Sequence, residues 1–167
     1  MTPLNALPIL RAQVLNPYRS KRPIGFYHIV KGHSGVDLKY IYQDLPSPVT
    51  GVIVDILKQN EMGNVIYLQD SIGTIHAFAH MDSIIVKLGE KVARNQILGK
   101  TGNTGAKSTS PHSHYELITT KPVNFIDNIM TRTLGKFKGY NTDPILYLKA
   151  LYFKYHVDLD GNAITNI

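Results

Sequence analysis

The tripeptide His112-Ser113-His114, inside the run SPHSHYEL, is the strongest chemical signal in the chain. If Ser113 lies in a strand, the two imidazoles project to one face with α-carbons roughly 6.5–7 Å apart. One of them can then bind a metal while the other reaches toward a water at that metal. Two adjacent imidazoles make poor core filling, because each carries a second nitrogen that needs a partner. The plainer alternative is that both are solvated surface residues. A second group is His33-Ser-Gly-Val-Asp37. In a straight strand its two ends stand roughly 13 Å apart, too far to share a metal. Convergence needs a bend, and Gly35 is the residue expected to allow one. Imidazole and carboxylate suit zinc, and three such ligands leave a position open for water. Taken singly, HSGVD reads equally well as a surface turn.

His76-Ala-Phe-Ala-His80 is the third group. It lacks the glutamate of a helical HExxH pair and reads as a strand, so residues 76, 78 and 80 are expected on one face. His80, at the end, then lies nearer the site, Phe78 packs beneath, and His76 is non-catalytic. Glu116 is read onto the strand face opposite His114. There it faces solvent or, at most, steadies a ligand from behind.

The chain has no cysteine, which removes thiolate catalysis, disulfides and cysteine-based zinc knuckles. At 167 residues it fits one domain that buries about two-thirds of the surface its unfolded form exposes. A net charge of +6 favours polyanionic surroundings such as nucleic acid or an anionic bacterial envelope. Only Arg19, Lys21 and Arg22 cluster, however, so no specific nucleic-acid surface is expected. No window of 18 apolar residues suggests a membrane span. The first residues, MTPLNALPILRAQVLNPYRSKR, lack the pattern of a standard signal peptide.

The elements that must position these groups are mostly strands. Residues 1–25 read as an irregular lead-in with a short helical turn around 10–15. Residues 26–155 form the folded unit, and 156–167 a tail. VIVDILK, NVIYLQD and TIHAFAH carry β-branched and aromatic residues between turns at Met62-Gly63-Asn64 and Ser71-Ile72-Gly73. Further strands are expected at 83–86, 96–100 and 114–119. Residues 121–140 read as a long loop with a helical turn near 126–130. Thr142 is the expected N-cap of a helix over PILYLKALYFKY, with Pro144 in its first turn. The fold class is therefore mainly β, an antiparallel sheet with a C-terminal helix.

HSGVD, AFAHM, GNTG and SPHSHYEL, in this order, resemble the motifs of the lysostaphin- and LytM-type zinc endopeptidases, the M23 peptidases of bacterial peptidoglycan. The resemblance runs from about Tyr27 to Leu148 and takes in PSPVTGVIVDI and TDPILYL. It implies a barrel-sandwich hybrid of antiparallel strands. It also implies zinc (Zn2+) held by His33, Asp37 and His114, with His80 and His112 as unliganded catalytic histidines. Tyr27, six positions before the first ligand, matches the tyrosine that helps hold the oxyanion. Two features depart from the family. Ser113 stands where a larger apolar residue is common, and the connection GNTGAKSTSPHSH is about one residue longer than usual.

The function implied is hydrolysis of peptide bonds in peptidoglycan at the bacterial cell wall. With no HExxH glutamate, His112 is the expected general base, His80 shares proton handling, and Tyr27 donates to the oxyanion. Without a standard signal peptide, delivery within a phage or secretion particle, or release by lysis, is an expected route. The rival readings are a non-catalytic binding or regulatory module of the same fold, an intracellular peptidase with another substrate, a basic nucleic-acid-binding domain, and a metal-dependent nuclease.

Overall fold

The computed structural model describes residues 8–19, 32–121 and 130–155. A short helix, α1 (Pro8–Arg11), leads into β1 (Val14–Asn16), so part of the lead-in is regular structure, and the helical turn sits earlier than 10–15. Then follow β2 (Val36–Leu38), β3 (Asp44–Pro46), β4 (Gly51–Gln59), β5 (Gly63–Asp70), β6 (Ile75–Ile84), β7 (Lys91–Val92), β8 (Ile97–Thr101) and β9 (Ser113–Thr119). A hairpin, β10 (Met130–Leu134) and β11 (Phe137–Thr142), precedes the closing helix α2 (Pro144–Tyr155).

All pairings are antiparallel, and the main path runs β1-β2-β9-β6-β5-β4-β7. β11 joins β9 beyond the end of β2, since Val36–Leu38 oppose residues 113–115 while residues 140–142 oppose 117–119. The strands expected at TIHAFAH and 83–86 are one strand, β6. Its residues 75–79 pair with β9, whereas 81–84 pair with β8, which also pairs with β3. The sheet therefore divides at residue 80.

The alternation of side chains sorts the core into two layers. Ile66, Leu68, Phe78, Tyr115 and Leu117 lie in the larger cluster, which also takes Tyr147 and Leu148 from α2. Val65, Tyr67, Ala77, Ala79 and Ile118 point the other way, and Leu134 joins them. Helix α2 is held by Leu148, which is fully buried, and by hydrogen bonds from Tyr147. Its hydroxyl donates to Asp70 Oδ2 at 3.0 Å and meets Thr74 Oγ1 at 2.8 Å. Asp70 also accepts from His76 Nε2 at 3.3 Å, and Tyr115 lies 2.7 Å from His76 Nδ1.

Two local readings change. The N-cap of α2 is Asp143, whose Oδ1 accepts from the amides of Ile145 and Leu146 at 2.8 and 3.2 Å, rather than Thr142. The loop expected over 121–140 contains the β10–β11 hairpin. It turns through Gly135-Lys136, with Gly135 at φ 59°, the two-residue form that places glycine first. The helical turn expected near 126–130 falls on residues 126–129, outside the described residues, and on Met130, which is in strand β10.

Candidate metal centre

Strand register builds most of the site. Across four neighbouring strands, Asn16 of β1 lies opposite Asp37 of β2, Asp37 opposite His114 of β9, and His114 opposite Ala79 of β6. Directly opposed residues point to the same face. Asp37 and His114, 77 residues apart in sequence, thus meet because β2 and β9 pair with no slip: His114 Nδ1 lies 2.9 Å from Asp37 Oδ1.

His33 comes in from the bend before β2. The positive φ in that bend belongs to Gly32 (107°), not Gly35. Gly35 has a different duty: a Cβ there would stand 2.4 Å from the Tyr115 carbonyl oxygen and 3.0 Å from Cε1 and Nε2 of His114. The chain can lie against β9 only without a side chain at this position. His33 Nε2 then reaches 3.2 Å from Asp37 Oδ1 and 3.1 Å from His114 Nδ1.

His33 Nε2, Asp37 Oδ1 and His114 Nδ1 therefore form a triangle with sides of 2.9 to 3.2 Å. Donors bound tetrahedrally to zinc at about 2.0–2.2 Å stand about 3.3–3.6 Å apart. The observed triangle is slightly tighter, and all three residues are buried. Two imidazole nitrogens and one carboxylate oxygen aimed at one point are a donor set that fits zinc. These three residues are the group among the described residues able to hold a metal ion.

The other two expected histidines come to the same place by irregular backbone. His80 does not share a face with His76 and Phe78, as plain alternation required. A bulge interrupts β5–β6 pairing between Asn64 and Ile66, and His80 adopts φ 61°, a left-handed conformation rare for a residue with a side chain. This turns its ring to the metal-centre face, with its centroid 4.9 Å from that of His112 and 5.9 Å from that of His114. His76 stays on the far face in the Asp70–Tyr115 network, consistent with a role away from the site. His112 sits just before β9 in an isolated bridge to Gly102, and its Nε2 lies 3.5 Å from Asp37 Oδ1.

The loop over residues 102–111, which opens with GNTG, fixes both rings. His80 Nδ1 donates to the Thr104 carbonyl at 2.8 Å, and His112 Nδ1 to the Ser110 carbonyl at 2.6 Å. In its neutral form each ring then has a bare Nε2, able to accept a proton, whereas a protonated His112 turns an N–H at Nε2 toward Asp37. Thr104 is itself pinned: its hydroxyl accepts from the Asn64 amide at 3.0 Å and donates to the Met81 carbonyl at 2.9 Å.

Burial holds His80 neutral, with its pKa lowered to about 4 against the pull of the Thr104 carbonyl. Burial alone would raise Asp37, but hydrogen bonds from His112, His114 and His33 outweigh it and hold the carboxyl far below the usual range. For His114 burial is outweighed by Asp37 and Glu116, which raise its pKa to about 9.

Glu116 is not on the opposite face. Residues two apart in a strand share a face, and Glu116 is completely buried with Oε2 3.5 Å from His114 Nε2. Tyr27 lies outside the described residues. Sequence reasoning missed Asn16, whose amide donates to Asp37 Oδ2 at 3.2 Å, and the carbonyls of Thr104 and Ser110.

Residues 31–125 match peptidase family M23. Peptidoglycan DD-endopeptidase ShyA of Vibrio cholerae is 37% identical over 100 residues, covering 57% of this chain and 22% of that protein. The catalytic domain of the antimicrobial peptidase lysostaphin from Staphylococcus simulans has a similar structure. Its TM-score is 0.65 at 27% identity, with 84% of this chain and 95% of that one covered. The catalytic domain of the prophage-encoded M23 protein EnpA from Enterococcus faecalis gives 0.59 at 26% identity, covering 80% and 88%. The chain spans about a quarter of the length of relatives such as ShyA.

Proposed function

The chain belongs to peptidase family M23, and we propose that it is a zinc-dependent endopeptidase cutting peptide bonds in bacterial peptidoglycan. The observation that carries the reading is the convergence of His33 Nε2, Asp37 Oδ1 and His114 Nδ1 within 3.2 Å of one another, beside two further imidazoles. A binding module needs no such set of bare nitrogens beside a metal-ligand triangle. The similarity to ShyA and lysostaphin points to the peptide part of the cell wall as substrate, and a basic chain suits an anionic wall.

In this reading His33, Asp37 and His114 hold the zinc. When bound, zinc supplies Lewis acidity, which polarises a carbonyl and makes water nucleophilic near neutral pH. His112 Nε2, whose ring is oriented through Ser110, accepts the proton of the attacking water and delivers it to the leaving amine nitrogen. His80, neutral and fixed through Thr104, offers a second acceptor at the same place. Tyr27 is assigned the hydrogen bond to the developing oxyanion.

The test uses the purified chain with measured metal content and cell walls of several cross-bridge types, with mass analysis of the products. Peptide-bond cleavage that chelation abolishes and zinc restores is the expected result. A protein that binds zinc stoichiometrically yet releases no wall or model peptide fragment would overturn the peptidase reading in favour of a binding role. Cleavage of a phosphodiester instead would mark a nuclease.

A further inference from the structure

Each of the three metal-directed side chains carries a second polar atom that faces a polar partner, through hydrogen-bond distance for His33 and Asp37 and through an ion-pair contact, not a hydrogen bond, for His114. Away from the centre, His33 Nδ1 lies 3.2 Å from the Pro17 carbonyl, Asp37 Oδ2 accepts from Asn16 Nδ2 at 3.2 Å, and His114 Nε2 faces Glu116 Oε2 at 3.5 Å. We infer that Asn16 and Glu116 are positioning residues of this centre, the first selecting which oxygen of Asp37 meets the metal and the second which nitrogen of His114. The inference rests on the proposed zinc site and deepens it.

The chemistry is that of a ligand with two usable ends. A carboxylate free at both oxygens can bind through one or swing to use both, and an imidazole can present either nitrogen. Partners on the outer atoms remove that freedom, and such partners are typically worth about 10–100-fold in metal affinity. Asn16 is suited to the task because an amide N–H can donate to a carboxylate without adding charge. The residue is itself buried and stands directly opposite Asp37 in register. Glu116 suits the complementary task, since a carboxylate can only accept while ionised and therefore favours N–H at His114 Nε2, leaving Nδ1 bare.

Glu116 is also too well held to be incidental. A fully buried carboxylate is costly unless it is paired. Ser34 Oγ donates to Oε2 at 3.1 Å and Asn141 Nδ2 to Oε1 at 3.2 Å. Asn141 also reaches the carbonyls of Ser34 and Leu117 at 2.9 and 3.2 Å. The side chain that faces His114 is thus locked to the residue following His33 and to β11. Asn16 precedes the family-matched segment and Asn141 follows it. On this inference the working unit begins before residue 26, because β1 and β11 complete a centre whose ligands lie between them.

The experiment uses the full chain and four variants: Asn16→Ala, Asn16→Leu, Glu116→Gln and Glu116→Leu. Zinc affinity is read by competition with a chromogenic chelator, and the visible absorption of the cobalt(II)-loaded protein reports donor set and geometry. Thermal melts of the metal-free proteins show which variants fold. Asn16→Ala and Glu116→Leu are expected to lose 10–100-fold in zinc affinity and to change the cobalt spectrum. Glu116→Gln, which keeps an acceptor, should lose only several-fold and keep a spectrum close to the parent's. Should Asn16→Ala not fold, Asn16→Leu carries the same expectation of about a 10–100-fold loss and a changed spectrum; should Glu116→Leu not fold, the several-fold loss of zinc affinity in Glu116→Gln carries the test for Glu116. A folded Asn16→Ala, Asn16→Leu or Glu116→Leu with parental affinity and spectrum, or a Glu116→Gln with fully parental affinity where Glu116→Leu does not fold, would overturn the inference and leave the zinc site standing. A parent chain that binds neither metal would overturn both.

Discussion

Replacing Gly35 with alanine probes whether the approach of the His33 segment to β9 creates the metal centre. The added Cβ would meet the Tyr115 carbonyl oxygen at 2.4 Å and two atoms of the His114 ring at 3.0 Å. An ordinary contact is about 3.5 Å, so the two segments must part by about 1 Å. The obstacle is backbone of a strand paired on both sides and cannot rotate away. Overpacking of this kind costs about 1–3 kcal/mol, and the rigid obstacle places this case near 2 kcal/mol or above. For a chain of this size that lowers Tm by about 4–8 °C. The metal site suffers in addition, because the same 1 Å separates His33 and Asp37 from His114, while ligand distances tolerate only about 0.2 Å. Melting curves with and without zinc, together with chelator competition, separate the two effects. The metal-free protein should melt lower and zinc affinity should fall at least tenfold. A Gly35→Ala protein that melts within a degree of the parent and binds zinc equally would refute the argument from close approach.

Asp37→Ala and His114→Ala should each abolish stoichiometric zinc, because one of three protein ligands is gone; unchanged metal content in both would refute the ligand set. His80→Ala and His112→Ala should keep zinc and lose about 10²–10⁴-fold in peptide hydrolysis, and loss of metal from either would show a ligand and a base exchanged. Asp143→Ala should cost about 1 kcal/mol in urea unfolding by freeing two amides at the start of α2, against no change if Thr142 were the cap. His76 gives a pH test away from the metal. Burial lowers its pKa below 6.5 despite the bond to Asp70, so below about pH 6.5 the unfolded chain binds a proton that the folded one refuses. Stability should fall as pH drops through that window by up to about 1.4 kcal/mol per unit, and His76→Gln should flatten the slope by one proton's share.

Strands were readable where the residue pattern is regular: β4, β5, β8 and β9 fall close to where the sequence placed them, and of these β9 carries a metal ligand, whereas β2, which carries Asp37, had no strand signal of its own. His80 was readable as a site residue only through its motif. Alternation places it with Phe78, and what reverses it is a bulge and a left-handed φ, which the pattern of residue types does not encode. Glu116 was different, since its spacing of two from His114 already put both on one face. The β10–β11 hairpin also had a local signal, Gly135-Lys136 between Leu134 and Phe137, masked by a run otherwise poor in periodicity. Asn16 had none. Its partner lies 21 residues away, across a strand pairing of two positions, and no local rule singles out Asn16 from Asn5 in the same lead-in.

The two classes of site histidine are held by different kinds of structure, and this bears on how the site responds to change. Asp37 and His114 stand on paired strands in direct register, so their geometry is set by the ladder between β2 and β9. His80 and His112 stand where the ladder fails, at a bulge and an isolated bridge, and their rings are set by main-chain carbonyls of one loop. A side-chain substitution at Ser110 leaves its carbonyl in place and should therefore do little. A change in the length of the 102–111 loop moves both carbonyls at once. Such a change can re-aim both proton acceptors while leaving the ligand triangle intact. A residue inserted in this loop would therefore lie where it can alter proton transfer and access without altering the metal ligands. Metal affinity and peptidase rate should accordingly separate: strand and outer-atom variants act on affinity, and loop-length variants act on rate.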